Sequence, residues 1–345
     1  MNSKQQIASV FLNSIGASMN AIEKVNKGLI NDTFLVEDDN NNLYILQQIN
    51  TKVFKNPFDL SHNLLRLKAC IELHNIKLLI PDYLSFEKKL IIQHNSTFWR
   101  MYPYIQGLVF EKSKNSEMSK AAAMALGRFH NLGEHMSIEE FKNPIENFTN
   151  FQFRLSNLRS ARKVGVESRI NQTVGFHSEL INHLNIIEEY CSIERQVTKR
   201  LIHGDPKISN FIFDASEKST LAIIDLDTIG QGSILYDFGD MVRSFSNRYN
   251  ESTSVKNNTK VLNKEILQSL VDGYISSAGC FLTKLERNSL LLSAKAVSLV
   301  QCIRFYTDYL LGDTYYEIKD DDDNLLRAKN QYQLFCELKD VNLIL

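Results

Sequence analysis

The sequence predicts an α+β chain of two lobes, a small antiparallel sheet followed by a larger, mainly helical part. Three observations predict it. Segments rich in β-branched and aromatic residues, separated by turn sequences, fill the first hundred positions; helical periodicity takes over from Ser119; and one short hairpin interrupts the helices. Pro103 and Gly107 mark the connector, which divides the chain into an N-terminal lobe over 1–104 and a helical C-terminal lobe over 105–345.

The elements follow in order. Ile7, Val10, Phe11 and Ile15 predict a short amphipathic helix over the first fifteen residues. AIEKVN, LINDTFLVE and LYILQQIN then read as an antiparallel meander, separated by Lys27-Gly28 and by DDNNN. Pro57 and Asp59 open a helix in which Leu60, Leu64, Leu67 and Ile71 recur on one face. DYLSFE with LIIQH, and then TFWRMYPYI, are further strand candidates. Helices are expected over SKAAAMALGRFHNLGEHM, near 178–191, near 262–278, near 284–311 and near 324–339. NFIFD and TLAIIDLD, joined by ASEKS, form the hairpin.

Composition narrows the function classes. The 345 residues can bury a substantial core, and the 43% hydrophobic and 23% charged residues are ordinary globular values. A net charge of −1 supplies no long-range field for nucleic acid or an anionic membrane. Neither a signal-type apolar run nor a bilayer-length stretch occurs, so a cytoplasmic protein is expected; monomer and dimer both stay open. The five cysteines, odd in number and without a CxxC pair, read as reduced and mostly buried thiols. Asp320–Asp323 lacks the glycine spacing of a calcium loop and reads as a solvated loop.

The informative stretch is HGDPKISN, His203 to Asn210, which matches H-x-D-x-x-x-x-N and runs straight into the hairpin whose second strand ends at Asp225. Phosphoryl transfer to a hydroxyl needs a carboxylate to accept the alcohol proton and oxygen ligands that hold magnesium against nucleotide phosphates. The hairpin brings Asn210 and Asp225 side by side as such ligands, and Asp205 lies across the loop facing the acceptor. Lys207 can place positive charge near the transferring group. His203 reads as a structural brace, and Asp237, Asp240 and Arg243 of YDFGDMVRS as a rigid support paired with one another or with the catalytic loop.

Loop and hairpin resemble those of the aminoglycoside phosphotransferase and choline kinase superfamily, and within it the bacterial N-acetylhexosamine 1-kinases. The likeness extends over GLINDTFLV, YILQQINTKVF, WRMYPYIQG, HGDPKISN, IIDLDTIGQGSILYDFGDMVRS, RFYTDYLLGDTYY and NLLRAKNQYQL. The resemblance implies a bilobal protein-kinase-like fold and an ATP- and Mg2+-dependent kinase, with ATP and a small sugar as its partners. It puts Asp205 on the catalytic base, Asn210 and Asp225 on the magnesium ligands and Asp227 on a further acid close to the metal. Thr228, Arg304 and Tyr315 fall where the hexosamine kinases contact the sugar. On the nucleotide side the expected residues are Gly28, Asn31, Thr33, Gln47 and Tyr102.

Two departures bear on the nucleotide. A kinase-type strand offers lysine to the phosphates, whereas LYILQQIN has Gln47 and Gln48, with Gln48 where the sugar kinases are expected to carry arginine. The loop between the first two strands has only Gly28 for phosphate cradling. Three readings therefore compete: a kinase for the anomeric hydroxyl of an N-acetylhexosamine; a kinase for an aminoglycoside, an amino alcohol or a plain hexose; and a catalytically weak kinase-fold module that binds nucleotide. Intact Asp205, Lys207, Asn210 and Asp225 speak against the last. Reading Asp225-Leu226-Asp227 as a glycosyltransferase DxD motif leaves HGDPKISN unexplained.

Overall fold

The structure, a computed structural model, describes residues 3–25, 30–74, 78–250, 253 and 259–342. A helix, α1 (Ser3–Asn13), precedes three strands, β1 (Met19–Val25), β2 (Asp32–Asp38) and β3 (Leu43–Gln48). Then come α2 (Pro57–Leu73), β4 (Ile92–His94) and β5 (Thr97–Pro103). These five strands form one antiparallel sheet in the order β1-β2-β3-β5-β4. The Lys27-Gly28 turn lies outside the described residues.

Alternation explains how the sheet is covered. Phe34 and Val36 of β2, Tyr44 and Leu46 of β3, and Trp99 and Met101 of β5 form one buried cluster with Ile7, Ala8, Phe11 and Leu12 of α1. Helix α1 ends at Asn13, so Leu12 supplies the last core contact and Ile15, expected on the buried face, stands 47% exposed. Helix α2 links the two parts: Leu60 packs with Ile49, Phe54 and Ile91 beside the sheet, while Leu64 and Leu67 join the large helical core. DYLSFE is not a strand. Leu84 N donates to Met101 O at 2.7 Å, but Glu87 and Lys88 turn the chain at φ 51° and 63°, leaving only a Phe86–Lys89 bridge.

The larger part is helical: α3 (Ser116–Leu132), α4 (Phe151–Val164), α5 (Glu167–Gln172), α6 (Val174–Ile181) and α7 (Leu184–Glu194) come first. Strands β6 (Arg200–Ile202), β7 (Phe211–Phe213), β8 (Thr220–Ile223) and β9 (Gly230–Gly232) follow, and α8 (Ile234–Phe245), α9 (Lys264–Ala278), α10 (Lys284–Asn288), α11 (Leu290–Leu310) and α12 (Asp323–Lys339) complete the fold. Strands β7 and β8 make the expected hairpin, and β6 pairs with β9. Helix α11 packs against α4, α7, α8 and α12, and its approach to α8 depends on Gly239, where a Cβ would sit 2.6 Å from Ser293 O. Among the described residues no helix is long and apolar enough to cross a membrane. Cys70, Cys191 and Cys302 are buried free thiols, Cys336 is half-buried, and Cys280 is exposed.

Candidate active site

The loop from His203 to Asn210 connects β6 to β7, and buried side chains fix its shape. Asp237, on α8 and fully buried, accepts from His203 N at 2.6 Å and Gly204 N at 2.9 Å. Its Oδ2 also contacts His130 Nε2 at 2.9 Å, and His130 Nδ1 meets the Tyr274 hydroxyl at 2.7 Å. Gly204 is required here: its φ is +86°, and a Cβ would lie 2.7 Å from Thr228 O. His203 Nε2 lies 3.0 Å from Ile224 O and its Nδ1 accepts from Asp205 N at 3.2 Å, so its ring ties the loop to the end of β8. Arg243 pairs with Asp240 at 2.7 Å on the same helix.

Within this frame Asp205, Lys207 and Asn210 come together. Lys207 Nζ donates to Asp205 Oδ2 at 2.7 Å, and Asn210 Nδ2 donates to Asp205 O at 2.8 Å and to Oδ2 at 3.3 Å. Burial opposes ionisation of Asp205, but the charge and hydrogen bond of Lys207 outweigh it and hold the carboxyl below its usual range. Asp225, the residue after Ile224, has φ 60° and ψ 55°, a left-handed conformation that aspartate tolerates better than most side chains. Desolvation by the protein packed around it pushes its pKa up; Lys207 offsets part of this, and the negative charges of Asp227 and Asp205 add to it.

The donor set fits a hard divalent cation. Asn210 spends its amide nitrogen on Asp205, so its oxygen is the atom able to bind a metal, and Asp225 is an exposed carboxylate open to such a cation, in a cluster of like charge. Among the described residues no three His, Cys, Asp or Glu side chains converge on one point. Magnesium sites completed by substrate phosphates need only one or two protein carboxylates, so this agrees with a cation held jointly with nucleotide.

Asp227 is committed elsewhere. It is 2% exposed and forms an ion pair with Arg100 of β5, itself 1% exposed. Arg100 NH2 donates to Asp227 Oδ2 at 2.8 Å, NH1 binds Oδ1, and Asn31 Nδ2 adds a third contact at 2.8 Å. Gln47 faces Arg100 in the β3–β5 register, and its Oε1 accepts from Arg100 Nε at 2.9 Å and NH2 at 2.7 Å. Gln47 Nε2 in turn lies 3.4 Å from Thr33 Oγ1. Arg100 of β5 thus ties the sheet to the segment after Asp225 through Asp227, with Gln47 as its second partner. The sequence reading missed Arg100 although its motif WRMYPYIQG was in view. Tyr102, on the same strand, feels the charges of Arg100, Asp225 and Asp227, which puts it beside this cluster. Asn31, Thr33, Gln47 and Tyr102 are thus gathered, and Gly28 lies outside the described residues.

Of the acceptor residues, Thr228 donates to His203 O at 2.8 Å and lines a cavity of about 430 Å³ with Asn143, Phe148, Asn150, Gln231 and Ser233; Asp205 does not line it. Arg304, on α11, sits over the rings of Phe148 and Tyr316 at 5.7 and 5.9 Å from their centroids. Tyr315 is 63% exposed, with its ring 4.8 Å from that of Tyr316. Asp308 shapes this loop by accepting from Thr314 N, Tyr315 N and Tyr316 N, each at 2.9 Å, a role that sequence reading did not foresee. Tyr236 feels the charges of Arg304 and Asp205 together, which connects the Arg304 side to the catalytic loop.

Comparison with known proteins agrees with this geometry. Residues 21–255 match the phosphotransferase enzyme family. The chain belongs to that family. Solved structures of similar fold include an aminoglycoside phosphotransferase from Alicyclobacillus acidocaldarius, 13% identical with a TM-score of 0.61 over 92% of this chain and 91% of that one. An amicoumacin kinase solved with AMP-PNP, Ca2+ and its ligand is 14% identical, with a TM-score of 0.62 over 97% and 94% of the two chains. An ethanolamine kinase from Plasmodium vivax is 14% identical, with a TM-score of 0.59 over 92% and 82%. The small antiparallel sheet and the larger helical part are the kinase-like architecture of this phosphotransferase.

The metal assignment carries its own test. Asp225→Ala and Asn210→Ala are each expected to weaken magnesium-dependent ATP use, Asp225→Ala by more because the carboxylate carries charge. Calorimetric titration of ATP with and without magnesium reads the effect. An Asp225→Ala protein whose ATP affinity responds to magnesium as the unaltered protein does would remove Asp225 from the metal site.

Proposed function

We propose that this phosphotransferase is an ATP- and Mg2+-dependent sugar kinase that transfers the γ-phosphoryl group to the anomeric hydroxyl of an N-acetylhexosamine. The observation that carries the transfer chemistry is the cluster of Asp205, Lys207 and Asn210 on one loop braced by Asp237. Asp205, kept ionised by Lys207, accepts the proton of the acceptor hydroxyl as that oxygen bonds to the γ-phosphorus. The bond between the γ-phosphorus and the bridging oxygen breaks, and ADP leaves with that oxygen's negative charge. Lys207 stabilises charge on the transferring group. Asn210 and Asp225 would hold the magnesium ion, which supplies charge neutralisation to the nucleotide phosphates.

Thr228, Arg304 and Tyr315 support a sugar acceptor by their chemistry, since a hydroxyl, a guanidinium and a phenol suit ring hydroxyls and an acetamido carbonyl. Arg154 and Arg304 meet at Phe148, which lines the same cavity as Thr228, and two guanidinium charges so placed disfavour the amino-cation acceptors that aminoglycosides and ethanolamine represent. A module that only binds nucleotide would have no use for an ionised Asp205 aligned with Asn210. The test is a coupled ADP-release screen with ATP and magnesium against N-acetylglucosamine, N-acetylgalactosamine, glucose, galactose, choline and kanamycin. Turnover is expected to be highest with an N-acetylhexosamine; release with choline or kanamycin alone would overturn the sugar assignment.

A further inference from the structure

Two arginines from different helices meet at Phe148. Arg154 of α4 donates through NH2 to Phe148 O at 3.0 Å, and the Arg304 guanidinium of α11 lies 5.7 Å from the centroid of the Phe148 ring. Among the described residues neither forms an ion pair with a carboxylate. Arg304 NH1 donates to Gln301 Oε1 at 3.0 Å, and Arg154 Nε is buried without a hydrogen-bond partner. Asp240 contributes to the field at Arg304 but is itself bound to Arg243 at 2.7 Å.

Gathering two half-buried cations at one ring without a carboxylate partner is unfavourable. Burial lowers the pKa of Arg154, and the charge of Arg304 lowers it further, although neither brings a guanidinium near neutrality. The phenols of Tyr236, Tyr315 and Tyr316 surround the pair, and Tyr236 feels Arg304 and Asp205 together. Phe148, which both arginines touch, lines the same cavity as Thr228, and Thr228 donates to His203 O of the loop that carries Asp205.

We propose that the acceptor carries an oxyanion, a carboxylate, sulfate or phosphate group, which Arg154 and Arg304 bind together while Asp205 faces the hydroxyl to be phosphorylated. The carbohydrate skeleton of this acceptor rests on the sugar-kinase reading; its charge rests on the arginine pair alone. Guanidinium forks match planar or tetrahedral oxyanions, and the buried Arg154 Nε would gain the acceptor atom that it lacks. A neutral N-acetylhexosamine can satisfy Arg304 but leaves the second charge uncompensated.

Calorimetric titration of the full chain with two matched pairs tests this: N-acetylglucosamine against its 6-sulfate, and glucose against glucuronic acid. In at least one pair the anionic sugar is expected to bind about tenfold tighter or more, the range of a charge-assisted hydrogen bond. Arg154→Gln should bring that ratio to within about twofold, whereas Arg159→Gln, an exposed arginine on the same helix, should leave it intact. No preference in either pair, or a preference that survives in a folded Arg154→Gln protein, overturns the proposal. Should Arg154→Gln melt below the assay temperature, Arg304→Gln is judged by the same ratio. If no sugar binds, the sugar-kinase reading fails by itself, and titration with sodium sulfate decides the anion site: binding that Arg154→Gln abolishes sustains it, and absent or unaltered binding overturns it.

Discussion

Asp205→Asn is expected to lower turnover by about a hundred- to ten-thousandfold, the usual worth of general-base catalysis, while ATP still binds. The substitution preserves bulk and keeps an oxygen for Lys207 and Asn210, both of which donate to Asp205 Oδ2. It removes the basic lone pair. The loop should keep its shape, because its backbone is held by Asp237 at His203 N and Gly204 N and by Thr228 at His203 O. Steady-state ADP release beside calorimetric ATP affinity separates the two effects. Turnover above about a tenth of the original would exclude Asp205 as the base; lost ATP binding would mean that the substitution has disturbed the nucleotide side as well.

The second large effect concerns stability. Arg100→Met should destabilise the protein by about 3–5 kcal/mol, because it leaves Asp227 as an unpaired charge in a nearly water-free site. Gln47 would lose both of its Arg100 contacts, and Asn31 would remain as the neutral partner of Asp227 among those that now hold it. The double variant Arg100→Met/Asp227→Leu removes both charges, and much of the lost stability should return. ATP use should not return with it, since the tie between the sheet and the segment carrying Asp225 is gone. Urea unfolding of the three variants, Asp227→Leu included, gives the coupling energy directly. A single variant within about 1 kcal/mol of the unaltered protein would show the pair to be incidental.

Much of the site could be read locally. The spacing of HGDPKISN and the apolar strands that follow it required Asp205, Lys207, Asn210 and Asp225 to share one turn and one hairpin, because a short hairpin leaves its ends nowhere else to go. Helix periodicity likewise located α2, α3, α9, α11 and α12. Helices α4 and α5 were missed although Phe151, Leu155 and Leu158 stand at core-facing spacing, since the many polar residues between them dilute the signal. Strands β6 and β9 are three residues each, and β9 contains two glycines, which is too little pattern for a strand to be recognised.

What the sequence by itself determined was which residues share the His203–Asn210 loop and its hairpin, and the two-part α+β plan. What only the tertiary structure decided was which distant charges meet. Arg100 and Asp227 are 127 residues apart, His130 and Asp237 107 apart, and Arg154 and Arg304 come from helices on opposite sides of the catalytic segment in the chain. The same separation hid the partner of Gln47, which the β3–β5 register shows to be Arg100. Local propensity depends on neighbours within a few residues, whereas a buried charge finds its partner only when packing has removed water and brought separate elements within hydrogen-bond distance.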